Sequence, residues 1–116
     1  MPVQRGEVYF VDLNPAIGRE QRGRRPVVVV SRDGLNRLPL VVVVVPGTGG
    51  SNIRTDYPQN VRVAAGEANL PDETVFMTFQ VRALDHSRFV GPAHGALSQF
   101  FLNQIEDALA WSLALK

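Results

Sequence analysis

Residues 26–46, PVVVVSRDGLNRLPLVVVVVP, decide the fold. Two β-branched runs, 27–30 and 40–45, flank a polar segment that contains Asp33-Gly34, Asn36 and Pro39. Neither run alternates with polar residues as a half-wet strand does, so each reads as a strand buried on both faces. Pro26 opens the first and Pro46 closes the second, while residues 32–39 form the turn between them.

Outward from this pair the strand signals continue. Residues 6–13, GEVYFVDL, read as a strand broken by Asn14-Pro15. A polar loop rich in Gly and Arg follows over 16–25. Residues 47–58 contain Gly47, Gly49 and Gly50 and read as a mobile loop. A short alternating strand is expected over 59–63, a turn over 67–73 and a further alternating strand over 74–84. Phe89 and Val90 suggest a last short strand before Gly91-Pro92. The chain ends in a helix over about 98–114, because Phe101, Ile105, Ala108 and Leu109 recur at helical spacing. Phe100, Trp111 and Leu115 lie off that stripe. They read either as a wider core contact or as a second contact surface.

Five to seven short strands with one late helix point to a compact, mainly β domain closed into a small barrel. A doubly wound α/β fold is disfavoured, since no helix separates the early strands. A length of 116 residues suits a single domain over 1–116. No apolar run is long enough to span a membrane. The short polar start lacks the apolar centre of a signal peptide, and with no cysteine in the chain a cytoplasmic location is expected.

The net charge of +1 is uninformative, but its distribution is not. Eleven of the twelve basic residues are arginine, and Arg19, Arg22, Arg24 and Arg25 fall within seven positions. Guanidinium forks match phosphate oxygens; a solvated loop in an arginine-rich chain is the alternative. No P-loop or GxGxxG stretch is present. His86 and His94 lack carboxylate spacing for a metal centre and read as surface residues, so no metal and no cofactor are expected. Arg25 before the first buried run, and Thr48 just after the second, would share one rim if those runs pair.

Four segments carry a resemblance: RGEVYFVDLNP (5–15), GREQRGRRPVVVVS (18–31), Val45-Pro46-Gly47-Thr48, and Gln80-Val81-Arg82-Ala83-Leu84-Asp85. In order and spacing they resemble the successive motifs of the MazF/PemK toxins, across nearly the whole chain. The resemblance implies a small SH3-like barrel, the CcdB/PemK-type plasmid maintenance toxin fold, with a C-terminal α-helix. It implies a homodimer that cleaves single-stranded RNA without a metal and is held inactive by a cognate MazE-like antitoxin. That antitoxin would be an acidic, extended or disordered segment that folds on contact. It places the catalytic arginine on Arg25, the catalytic hydroxyl on Thr48, and the loop acid on Glu20 as a candidate base. RNA contacts fall on Arg19, Gln21, Arg22, Gln80 and Arg82. Some relatives carry an Arg and an Asp where this chain has Met77 and Phe79. Phe79 therefore either stacks on a base or packs in the core. Two other readings share the fold: a CcdB-type gyrase poison, and an RNA-binding barrel without chemistry.

Overall fold

The structure, a computed structural model, describes residues 3–115; Met1, Pro2 and Lys116 of the expected domain lie outside the described residues. The strands are β1 (Glu7–Asp12), β2 (Arg24–Val29), β3 (Val41–Gly49), β4 (Asn60–Val63), β5 (Thr74–Met77), β6 (Arg82–Asp85) and β7 (Gly95–Ala96). A helical turn α1 (Asp33–Asn36) joins β2 to β3, and α2 (Gln99–Ser112) ends the fold. The strands form an antiparallel sheet in the order β4-β5-β3-β2-β1-β7, with β6 paired to β3 beside this path. The expected mainly β architecture with a late helix is present as a curled half-barrel, whose outer strands β4 and β7 do not pair with each other.

The valine runs are explained by two apolar clusters on opposite faces of the sheet. Val8, Val28, Val45, Val61 and Phe76 join Ile105 and Ala108 of α2 in one cluster. Tyr9, Val11, Val27, Val29, Val42 and Val44 join Leu84 in the other. Alternate side chains of one strand point to opposite faces, so over 27–29 and 42–45, where both faces are covered, the residues are apolar; Leu40 and Val41, expected within the buried run, are instead exposed, and Leu40 lies outside β3. Ile105 is wholly buried, and truncating it to alanine should cost about 2–5 kcal/mol.

Several boundaries differ from expectation. β2 starts at Arg24 rather than Pro26, so Arg25 is a strand residue opposite Val11. Pro46 does not end β3, which continues to Gly49. One edge of β3 pairs with β6 over 41–44 and with β5 over 47–49. Pro46 falls between those two ladders, where that edge has no ladder bond for a missing N–H to remove. The single strand expected over 74–84 is divided by a 3₁₀ turn, Thr78–Gln80, and Val75, Phe76 and Met77 are all buried instead of alternating. Phe89 and Val90 form no strand; the edge strand β7 lies at Gly95–Ala96.

On α2, Leu102 is buried with Ile105 and Ala108, while Phe101 and Leu109 pack against them half-buried. Phe100, Trp111 and Leu115 are exposed. They are not core residues, which excludes the wider core contact.

Tyr9 gives the second cluster a polar margin. Its hydroxyl donates to Glu7 Oε1 at 3.0 Å, and its ring meets Phe89 edge-on at 5.2 Å between centroids. Burial, reinforced by the hydrogen bond to Glu7 and its charge, pushes the phenol up to about 12. A raised pKa means the fold favours the protonated phenol. The stability it contributes is complete below the ordinary value near 10 and is lost as pH rises through about 12. Spectrophotometric titration should therefore show a phenol ionising near pH 12, and Tyr9→Phe should remove that step together with its share of the alkaline destabilisation.

Candidate active site

The β2–β3 ladder ends at Val27 opposite Pro46. Arg25 and Thr48 each lie two residues beyond that last pair, on facing strands. Past Pro46 the β2 edge of β3 carries no further ladder, while its other edge, paired with β6 over 41–44, pairs with β5, with Thr48 opposite Val75. The cation and the hydroxyl thus stand at the fork where β2 and β3 part. Gly47 makes this switch possible: a Cβ there would lie 2.9 Å from Thr74 Cγ2 and 3.0 Å from Phe76 Cδ1. Arg25 Nε donates to Arg22 O at 3.0 Å, and its terminal N–H groups make no hydrogen bond among the described residues. Thr48 is only 5% exposed and lies on the floor of the fork.

The loop between β1 and β2 is a folded unit. Leu13 N–H donates to Gly23 O (2.9 Å), closing its base. Ile17 N–H donates to Glu20 Oε1 (2.7 Å), and Arg22 Nη2 donates to Gly18 O (2.6 Å). The loop is fastened from a distance by Gln80, whose Oε1 accepts from Gln21 N–H (2.7 Å) and whose Nε2 donates to Arg19 O (3.0 Å). The expectation that Gln80 reads RNA bases therefore meets a competing role: both ends of its amide hold the loop. Loop and turn together border a cavity of about 520 Å³ lined by Arg19, Glu20, Phe79, Gln80 and Arg82. Phe79 is 56% exposed, which rules out the core placement. Arg82 reaches back to Leu13 O at 3.5 Å.

Of the nine site residues expected from the sequence, these five share the cavity, and Gln21 and Arg22 belong to the same loop. Arg25 and Thr48 are placed together at the strand fork but do not line this cavity. The two histidines are apart in role: His86 Nε2 meets Asn36 O at 3.0 Å, and His94 Nε2 meets Asn69 O at 2.8 Å. Among the described residues no group of three or more His, Asp or Glu side chains is gathered for a metal ion.

Two residues escaped the sequence reading. Asn52 Nδ2 donates to Thr48 Oγ1 at 2.9 Å. Arg62, on β4, donates to Gly50 O (3.0 Å), Ile53 O (2.7 Å), Glu73 Oε1 (2.8 Å) and Asp56 Oδ1 (2.8 Å). Of the segment over 47–58, expected to be a mobile loop, the first part is strand to Gly49, and this guanidinium holds the rest at Gly50, Ile53 and Asp56. The hydrogen bond from Arg62 holds the Asp56 carboxyl below the usual carboxylate range, and the same bond, with that to Glu73, pushes the guanidinium pKa up. An arginine in the alternating stretch NVRV reads as a solvent-facing strand residue, and nothing local in GGSN marks Asn52 as a partner of Thr48.

Residues 4–113 match the family described as PemK-like, MazF-like toxin of type II toxin-antitoxin system. The chain belongs to this family. It is 33% identical over 115 residues to Endoribonuclease EndoA of Bacillus subtilis (strain 168), covering 99% of this chain and 97% of that protein. Among solved structures it resembles a mycobacterial endoribonuclease in complex with its cognate antitoxin (TM-score 0.79, 26% identity, 98% of this chain and 97% of that one). It shares its fold with MazF from Deinococcus radiodurans (TM-score 0.82, 22% identity, 98% of each chain). A CcdB-type assignment is not favoured by these matches.

Gln80→Ala should release the loop it fastens while leaving the sheet intact. Amide exchange at Gln21 should quicken at least about tenfold, the equivalent of one or two hydrogen bonds lost. Exchange in β2 and β3 should be unchanged.

Proposed function

We propose that this toxin is an endoribonuclease that cleaves single-stranded RNA, and that Arg25 and Thr48 are its catalytic pair. The observation that carries the reading is their common position at the β2–β3 fork, two residues beyond Val27–Pro46 on each strand. The relatives' endoribonuclease names support the activity.

The reaction in view is transesterification. The 2′-oxygen of the nucleotide before the cut attacks the adjacent phosphorus, the O2′–P bond forms and the P–O5′ bond breaks. The products carry a 2′,3′-cyclic phosphate and a 5′-hydroxyl. The nucleophile is already held beside the phosphorus, so the reaction needs charge stabilisation and two proton transfers but no metal. Arg25 has guanidinium N–H groups without a partner among the described residues to offer the phosphorane, where fixed charge is often the largest catalytic contribution. Thr48 donates its hydroxyl proton to a non-bridging oxygen. The 2′-hydroxyl proton goes to a base and the departing 5′-oxygen takes one up. Arginine stays protonated and makes a poor base. Glu20 is the candidate, with Oε1 bound to Ile17 N–H and Oε2 without a partner among the described residues. Around the cavity, Arg19 and Arg82 offer phosphate contacts and Phe79 a stacking face, worth about 1–3 kcal/mol per base. Arg22 and the Gln21 side chain extend the grip along the loop. The remaining N–H and lone pair of Gln80 stay open to a base edge.

The reading extends to a single toxin domain over 1–116 that acts in the cytoplasm as a homodimer and is silenced by an acidic MazE-like antitoxin. Among the described residues no helix is long and apolar enough to cross a membrane. Exposed Phe100 and Trp111 on α2, with Leu115 just after it, supply apolar surface for such contacts. A relative seen with its cognate antitoxin supports the partner.

On a long single-stranded RNA in excess EDTA, wild type should produce discrete fragments with 5′-hydroxyl ends at the rate seen without chelator. Arg25→Ala and Thr48→Ala should each slow cleavage by about 10²–10³-fold, with the dimer mass unchanged by sedimentation. Normal cutting by either variant would remove that residue from the reaction, and dependence on added metal would overturn the mechanism.

A further inference from the structure

We infer that Asn52 is a positioning residue that fixes the direction of the Thr48 hydroxyl proton, and that Arg62 holds the segment carrying it. The inference rests on the proposed role of Thr48 as a donor to the phosphate.

A threonine hydroxyl has one proton to give and two lone pairs. Asn52 Nδ2 fills one lone pair at 2.9 Å. The hydroxyl proton makes no hydrogen bond among the described residues, so it remains for a ligand. Were the polarity reversed, with an acceptor at Asn52, the hydroxyl would donate into the loop. Its lone pairs would then face the phosphate oxygens, and the interaction would turn from attraction to repulsion. Thr48 is 5% exposed, and its backbone is held in the ladder with Val75, so the side chain has little room to evade that choice.

Asn52 stays in place because Arg62 grips the chain on both sides of it, at Gly50 O (3.0 Å) and Ile53 O (2.7 Å). Gly50 N–H also donates to Glu73 O at 2.8 Å. The guanidinium is oriented by Asp56 and Glu73, both at 2.8 Å. A Cβ at Gly50 would lie 2.8 Å from Glu73 Cγ and 3.0 Å from Arg62 Nη1, so the segment approaches the ion cluster as closely as a backbone can. Among the described residues, the charged groups paired in this cluster are Arg62, Asp56 and Glu73.

The test uses Asn52→Asp, which keeps the size of the side chain and replaces the donor by an acceptor. Wild type, Asn52→Asp, Thr48→Ala and the double variant are compared on a single-stranded RNA oligonucleotide with one mapped cut. Single-turnover rates, RNA affinity and thermal midpoints are measured from about pH 8 down to about pH 5, toward the ordinary carboxyl range. Asn52→Asp should cleave at least about tenfold slower than wild type at the upper end, with RNA affinity and thermal midpoint little changed. The deficit relative to wild type at the same pH should shrink toward the acid end, as the introduced carboxyl gains a proton and can donate again. In the Thr48→Ala background the substitution should add no further loss.

Wild-type cleavage by Asn52→Asp at the upper pH would overturn the inference, as would a deficit that is constant with pH or persists without the Thr48 hydroxyl. Normal cleavage by Thr48→Ala would instead defeat the catalytic reading of Thr48, whatever Asn52→Asp does.

Discussion

β3 has to serve three neighbours. Over 44–46 it pairs with β2, over 41–44 with β6 and over 47–49 with β5. A strand so used must change partners part-way, and the change falls at Pro46-Gly47. Pro46 occupies the gap between the two ladders on one edge, and Gly47 lets the backbone close on Thr74 and Phe76. On the other edge the β2 ladder ends at Val27, and beyond it Arg25 and Thr48 stand on the two arms of the fork. A side chain at Gly47 would drive β5 from β3 and disturb the core around Phe76, a wholly buried residue. The site and the core therefore depend on the same missing Cβ.

Around this fork the irregular segments are fastened by single side chains that bond to backbone. Gln80 holds the loop after β1 through Arg19 O and Gln21 N–H. Arg62 holds the segment after β3 through Gly50 O and Ile53 O. Each such bond contributes only about 0.5–1.5 kcal/mol net, somewhat more where a charge takes part, which is small beside the core. Their effect is on geometry: a loop tied at two backbone atoms explores far fewer conformations, and functional groups on it start near their working positions.

The parts legible in the sequence were those governed by local pattern. The valine runs announced doubly covered strands because a polar residue at most of those positions would be buried without a partner; only Leu40 and Val41, at the start of the second run, turn out exposed. The stripe on α2 announced its buried face through Ile105 and Ala108. What was not legible depended on tertiary pairing. Pro46 reads as a stop unless one knows that its edge lies between two ladders. Phe89-Val90 has strand composition, but Phe89 is drawn to Tyr9 in the second cluster, and the sheet edge is taken by Gly95-Ala96. At the site, Arg25 and Thr48 could be paired from motif and register, and the structure sets them on facing strands. Asn52 and Arg62 could not: Asn52 meets Thr48 only four positions back, through a turn that GGSN does not announce, and Arg62 gathers Gly50 O, Ile53 O, Asp56 and Glu73 from separate segments. Gln80 was legible as a site residue but not as a clamp, since its bonds to Arg19 and Gln21 span 61 and 59 positions in sequence.

The arrangement also separates what should stay constant in the proposed reaction from what can vary. Arg25 and Thr48 stand on strands whose register is enforced by buried valines on both faces. A one-residue slip would reverse every side chain and is excluded by the core. Arg19, Glu20, Gln21, Arg22 and Phe79 sit on a loop and a 3₁₀ turn that Gln80 joins. Substitutions there can reshape the cavity without disturbing the core. Chemistry common to every RNA strand belongs on the first set, because the phosphate and its 2′-hydroxyl are the same at each nucleotide. Discrimination among bases belongs on the second, because single-stranded bases present their edges and faces freely. Phe79, on the turn of the second set, offers a stacking face to a base and leaves the fork unaltered.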